Sequence, residues 1–231
     1  MTDQEQRDTA GTVRLGVLLA AVGGFLDAFT FVGHGGVFSN AQTGNVVLVG
    51  IYAARGDWAH VLRQLLPLLA FVLGVFTAET MTHPAVKAWV RRPLRAALIA
   101  EIVVLVAVSF LPDGVGGFAV VLLVSYVAAV QNSMFDTLRT WPFNTVTLTG
   151  NLRTTTRSLY RALVLRGNGE GDKARSFAIV CLAFLVGAVI GAFATTGWGN
   201  RAALVGAGIL AAALLLFIVE EPRNQRQAAT E

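Results

Sequence analysis

The chain has 231 residues, of which 55% are hydrophobic and only 14% charged, and its mean hydropathy is +0.63. A soluble domain carries roughly 45–50% apolar and roughly 25% charged residues, so too few polar side chains remain here to wet one compact surface. A soluble enzyme, a disordered chain and a disulfide scaffold are excluded as readings. The net charge of +4 and pI of 9.8 fit either nucleic-acid binding or basic cytoplasmic loops, and only the placement of the charges can decide.

The polar stretch 1–12 holds Asp3, Glu5 and Asp8 and lacks the positive start of a signal peptide. It is expected to be a flexible cytoplasmic tail. Runs near the ~20 residues needed to cross hydrocarbon follow. In the first half (13–112) they are Val13–Gly33, Leu65–Met81 and Arg95–Leu111. In the second half (113–220) they are Gly116–Val130, Ser176–Thr195 and Arg201–Val219. The fourth run reaches span length only by continuing through Gln131 and Asn132 to about Met134. Residues 221–231 form a second cytoplasmic tail. Two further stretches, Val37–Ala53 and Trp141–Leu165, each carry Thr-Gly-Asn.

Those tripeptides anchor an internal repeat. Thr43-Gly44-Asn45 recurs 106 residues later as Thr149-Gly150-Asn151. Leu69-Ala70-Phe71 with Gly74 recurs after 113 residues as Leu182-Ala183-Phe184 with Gly187. Arg95-Ala96-Ala97-Leu98 recurs after 106 residues as Arg201-Ala202-Ala203-Leu204. Each half therefore reads as one span, a Thr-Gly-Asn segment, and two spans. The small-residue stripes Ala70/Gly74/Ala78 and Ala183/Gly187/Gly191 are packing signals. Their duplication suggests that these two spans cross each other at the repeat axis.

After Gly150, Arg153, Arg157 and Arg161 form one helical stripe, with Leu152, Leu159 and Leu163 opposite. Three charges at membrane depth are costly, so this segment is expected to be a re-entrant or interfacial half-helix, and its uncharged first copy to match it. With six spans and both termini cytoplasmic, 15 of the 18 basic residues fall on the cytoplasmic side, leaving Arg55, Arg63 and Arg201 outside. That asymmetry is the positive-inside pattern, and it removes the nucleic-acid reading. Three spans per half force the halves to face opposite ways. The expected fold is an all-α polytopic membrane protein with six transmembrane helices in an inverted 3+3 repeat. Inverted repeats with broken helices characterise many transporters.

The patterns GGFLDAFTF and GVFSNAQTGNVVLVG in the first half, and VQNSMFDTL and FNTVTLTGNL in the second, resemble the YoaK-type family of uncharacterised multi-pass bacterial inner-membrane proteins. The resemblance runs from about Val13 to Val219. It implies a multi-pass fold and an inner-membrane location, and brings no substrate or reaction.

The site candidates follow from depth and repetition. Asn45 and Asn151, with Thr43, Thr149, Gly44 and Gly150, stand at half-helix starts, where free N–H groups and the helix dipole could receive an anionic or polar solute; alternatively they only cap and pack. Asp27 is a carboxylate well inside the first span, a proton or ion carrier or else a hydrogen-bond partner for a half-helix. Gln131 and Asn132 fall near its repeat position. Glu101, Asn40 and Asn144 form a second tier. The single Cys181 permits no intrachain disulfide, and His34, His60 and His83 lack ligand spacing, so no metal site and no cofactor is expected. No Walker, H-E-x-x-H or G-x-S-x-G pattern occurs, and the chain is not expected to be an enzyme. The expected function is passive or Asp27-coupled proton-linked movement of a small solute. The rivals are an intramembrane enzyme on a lipid-like substrate, which would need Asp27 and Glu101 as an acid–base pair, and a membrane scaffold with a dry centre. Expected partners are the bilayer, the solute, a second copy of the chain, and anionic lipid at Arg153, Arg157 and Arg161.

Overall fold

A computed structural model describes residues 12–83, 92–113, 117–138, 141–143 and 148–228. The described chain is helical: α1 (Val13–Gly33), α2 (Gln42–Ala54), α3 (Trp58–Thr82), α4 (Pro93–Ser109), α5 (Gly117–Met134), α6 (Leu148–Leu163), α7 (Glu170–Trp198) and α8 (Ala203–Ala228). A 3-10 turn, Gly199–Ala202, joins the last two helices. A two-residue antiparallel ladder, β1 (Thr137–Leu138) with β2 (Trp141–Pro142), separates α5 from α6.

Local chemistry sets several helix ends. The Thr12 hydroxyl accepts from the Leu15 N–H at the start of α1. Asp57 accepts from the His60 N–H at 3.2 Å and starts α3 before the apolar run begins. Pro93 opens α4, where its missing N–H costs nothing. Gly199 lies at φ +55°, and a Cβ there would also strike the Asp113 carboxylate, so the α7–α8 turn requires glycine.

Four stretches are long and apolar enough to cross a membrane: Val13–Gly33, Trp58–Thr82, Gly117–Met134, and Glu170–Glu220, which contains both α7 and α8. Large apolar side chains cover the outside, including Leu69, Leu73 and Phe76 on α3 and Leu182, Leu185 and Phe193 on α7. The core is built by α1, α4, α5 and α8 around Leu19, Phe25, Phe29, Leu98, Leu105, Val124, Leu210 and Phe217.

The packing is paired. Helix α1 runs along α7, and α3 along α5. Helix α2 lies on α3, and α6 on α7. Helix α4 meets α5, and α8 meets α1, while α4 and α8 contact each other. If α1–α4 correspond in order to α5–α8, every one of these contacts has its counterpart.

The small-residue stripes do not face each other, contrary to the expectation from their duplication. A Cβ on Gly187 would strike the Ala21 carbonyl of α1, and one on Gly191 would come within 2.5 Å of the Phe25 carbonyl. A Cβ on Gly74 would come within 2.5 Å of the Tyr126 carbonyl of α5. Each stripe thus seats a different helix backbone, because a stripe of small residues fixes a face and leaves the partner open. Ala21 and Tyr126 are 105 residues apart. That spacing makes Asn132 the counterpart of Asp27.

Candidate functional site

The chain between α1 and α2 doubles back into the protein, and Asp27 receives it. Its Oδ1 accepts from the Asn40 N–H at 2.7 Å, the Ala41 N–H at 3.3 Å and the Ser39 hydroxyl at 3.3 Å. Helix α2 has no side-chain cap of its own at Ala41, so this carboxylate organises the turn that leads into it. Asp27 Oδ2 is buried and has no hydrogen-bond partner, and the same holds for Asn40 Oδ1. The Asn40 amide nitrogen is used, donating to the Ser39 hydroxyl at 3.1 Å and the Gly23 carbonyl at 3.4 Å.

Asn45 brackets the same segment. Its Nδ2 donates to the Phe38 carbonyl at 2.7 Å and to Gln42 Oε1 at 2.9 Å, and its Oδ1 accepts from the Phe38 N–H at 2.9 Å. The side chain is fully buried and is consumed by these bonds. Gln42 Nε2 completes the bracket by donating to the Ser39 carbonyl at 2.8 Å.

A cavity of about 830 Å³ lies between the two Thr-Gly-Asn helices. Asp27, Asn40, Thr43, Gly44, Asn132 and Thr149 line it, so six of the sequence candidates meet there. Asn45, Gly150, Asn151, Gln131 and Glu101 lie outside its lining. Asn151 and Gln131 are buried, and Gly150 is exposed at the start of α6. Glu101 is buried in α4 with neither oxygen hydrogen-bonded. Asn144 lies outside the described residues.

The lining repeats in pairs. Thr43 and Thr149, Gln42 and Leu148, Phe71 and Phe184, and Asp27 and Asn132 each occupy matched positions in the two halves, and all eight touch the cavity. Sequence reading missed Ser39, Gln42 and the walls Phe31, Phe38, Phe71 and Phe184. A signal for two of them was present, since Phe71 and Phe184 sit inside the matched Leu-Ala-Phe triplets. Phe31 and Phe38 stack with ring centroids 4.7 Å apart.

An anion at the start of α2, one expectation from the helix dipole, is opposed by this geometry. Asp27 already brings negative charge there, and both orphaned atoms are acceptors. The basic stripe of α6 is also divided. Arg161 reaches Glu170 at 3.3 Å. Arg153 and Arg157 stay exposed, and so do Leu152, Leu159 and Leu163. The buried side of α6 is polar, with Asn151 and Ser158. Among the described residues no group of His, Cys, Asp and Glu could hold a metal ion.

A family model described as a protein of unknown function, DUF1275, matches residues 15–216. The chain belongs to this family. This DUF1275 protein is similar to the UPF0700 transmembrane protein YoaK of Bacillus subtilis (strain 168), with 26% identity over 184 residues that cover 77% of this chain and 81% of that one. No solved structure matches it. Together with the apolar helices, the transmembrane relative supports a membrane location for this DUF1275 protein.

Proposed function

We propose that this protein is a transporter or channel that moves a small solute across the bacterial inner (plasma) membrane. Six spans would form an inverted 3+3 repeat with both termini cytoplasmic, and α2 and α6 would be its two half-helices. One observation carries the reading: the central cavity is lined by matched residues from both halves, with the carboxylate of Asp27 at its wall. A site at the junction of two repeats suits rocking of one half against the other. The paired helix contacts and the basic residues gathered on one side support the topology. The scaffold reading calls for a dry, filled centre, which a cavity of about 830 Å³ opposes. The enzyme reading calls for Asp27 and Glu101 at one place, and only Asp27 lines the cavity. The exposed Arg153 and Arg157 would rest against anionic lipid headgroups, and a second copy of the chain is compatible with the apolar outer faces.

Thiol labelling tests the reading. In a Cys181→Ser background the chain has no other cysteine, so Thr43→Cys and Thr149→Cys report alone. Sealed vesicles of both orientations are treated with a membrane-impermeant maleimide. A transport path gives labelling of both positions, from at least one aqueous side each. Protection of both positions from both sides would remove the proposal.

A further inference from the structure

The orphaned groups at the cavity wall specify a ligand more narrowly than "small solute". Asp27 is 4% exposed and Asn40 5% exposed. Both residues line the cavity, and Asp27 Oδ2 and Asn40 Oδ1, each closed to solvent, lack partners. An unsatisfied buried acceptor is costly, and more so when it is charged. Both sites call for a donor. Asp27 is the one charged group among the described lining residues, so the complement is a positively charged donor. The remaining wall is largely apolar and includes Phe31, Phe38, Phe71 and Phe184. A bare metal cation is poorly served, since hard cations collect roughly six or more oxygen ligands and most of this wall offers carbon. Aromatic faces attract organic cations as well as apolar bodies.

We propose that the cavity is a binding site for an organic ammonium ion, its charge held by Asp27 and Asn40 and its apolar body among the four phenylalanines. This deepens the transport reading by naming the class of solute, and it rests on that reading only for the claim that the solute moves. The three donors on Oδ1 hold the carboxylate by that oxygen, and Oδ2 is left without a donor.

Three probes with one body separate the possibilities: phenethylammonium, 2-phenylethanol and phenylacetate. Binding is measured by titration calorimetry on the full chain in detergent micelles. Phenethylammonium should bind at least about tenfold more tightly than either congener, as one charge-assisted hydrogen bond implies. Asp27→Asn should remove that preference, and Phe71→Ala should weaken binding while keeping it. If Asp27→Asn fails to fold, Ala192→Phe fills the cavity from α7 with residue 27 unchanged and should abolish binding. Equal binding of all three probes, a preference for phenylacetate, no binding of phenethylammonium, or a folded Asp27→Asn protein that keeps the preference would overturn the proposal. Displacement of phenethylammonium by sodium or potassium at equal concentration would also do so. Flux in proteoliposomes separates this proposal from the transport reading. Ammonium binding without flux keeps the ligand class and removes transport; thiol labelling of the cavity without ammonium binding does the reverse.

Discussion

Asn45 offers a direct test of how the segment between α1 and α2 is held. Its amide makes both hydrogen bonds of the Phe38 backbone, at 2.9 and 2.7 Å, and a third to Gln42 at 2.9 Å. Asn45→Ala removes all three and leaves the Phe38 N–H and C=O without these partners. Each orphaned backbone group costs about 1–3 kcal/mol. Phe38 is only half-buried, so the lower part of the range applies to each, and the expected loss is about 2–4 kcal/mol. Asn45→Asp should be no milder. It keeps the acceptor for the Phe38 N–H but turns an oxygen toward the Phe38 carbonyl and Gln42 Oε1. Equilibrium unfolding in detergent measures the loss, and amide exchange across Val37–Asn45 locates it. Ser39 and Asn40 sit inside the bracketed segment, so the Asp27 contacts should loosen in the same variants. A change below ~0.5 kcal/mol, the usual scatter of surface substitutions, with unaltered exchange, would refute the bracket as a structural device.

Three further outcomes are expected. Gly187→Ala and Gly74→Ala should each cost about 1–3 kcal/mol by overpacking a helix crossing, whereas Gly208→Ala, with open space around it, should be neutral; unfolding of the three variants side by side decides. Glu101→Leu should stabilise the protein by about 1–4 kcal/mol, because it replaces a fully buried carboxyl that has no hydrogen-bond partner by a hydrocarbon of similar volume; a lower unfolding temperature would point to a partner for that group. The hydrogen bonds from the His60 side chain and backbone hold the Asp57 carboxyl below its usual value. Its contribution is thus present above the unfolded-state value of 3.8 and fades as pH falls through the lower folded value. Amide exchange in the first turn of α3 should rise as pH falls through that window, after correction for intrinsic rates, and Asp57→Asn should flatten the response.

Much of the fold was legible because apolar run length reports directly on helices. Val13–Gly33 is helix α1 to the residue. The fourth run does continue through Gln131 and Asn132 to Met134. Helix α3 starts seven residues before the expected Leu65, at Trp58, because Asp57 caps it there and His60, Arg63 and Gln64 interrupt the apolar run over its first two turns. The cavity was legible in part, since repeated Thr-Gly-Asn marks where the halves meet. The direction of the asparagine amides was not. A tripeptide does not say whether its side chain turns toward a cavity or back to Phe38, and for Asn45 the unpaired peptide of Phe38 takes it. The clasp of Asn200 was also hidden. It joins His34 at 2.9 Å, Asp113 at 2.7 Å and the Leu111 and Pro112 carbonyls at 3.1 and 3.2 Å, all distant in sequence and none repeated.

The repeat makes one difference between the halves stand out. Asp27 and Asn132 hold matched positions and line one cavity, yet only one carries charge. A second carboxylate should therefore disturb the first. A sphere of about 830 Å³ is about 12 Å across, and two unit charges at that separation repel by about 1.4 kcal/mol at an effective dielectric of about 20. Asn132→Asp should lower stability by at least that amount at neutral pH. In an Asp27→Asn background the same substitution should cost about 1–2 kcal/mol less, because the opposing charge is gone. A double-mutant cycle in unfolding free energy reads the coupling without reference to the other contacts of either side chain. Raising the salt should leave it largely intact if the cavity is secluded, and should erase it if both groups face bulk water. Additive effects within ~0.5 kcal/mol would mean that the two positions do not share one electrostatic space, and the single charge would then say nothing about the solute.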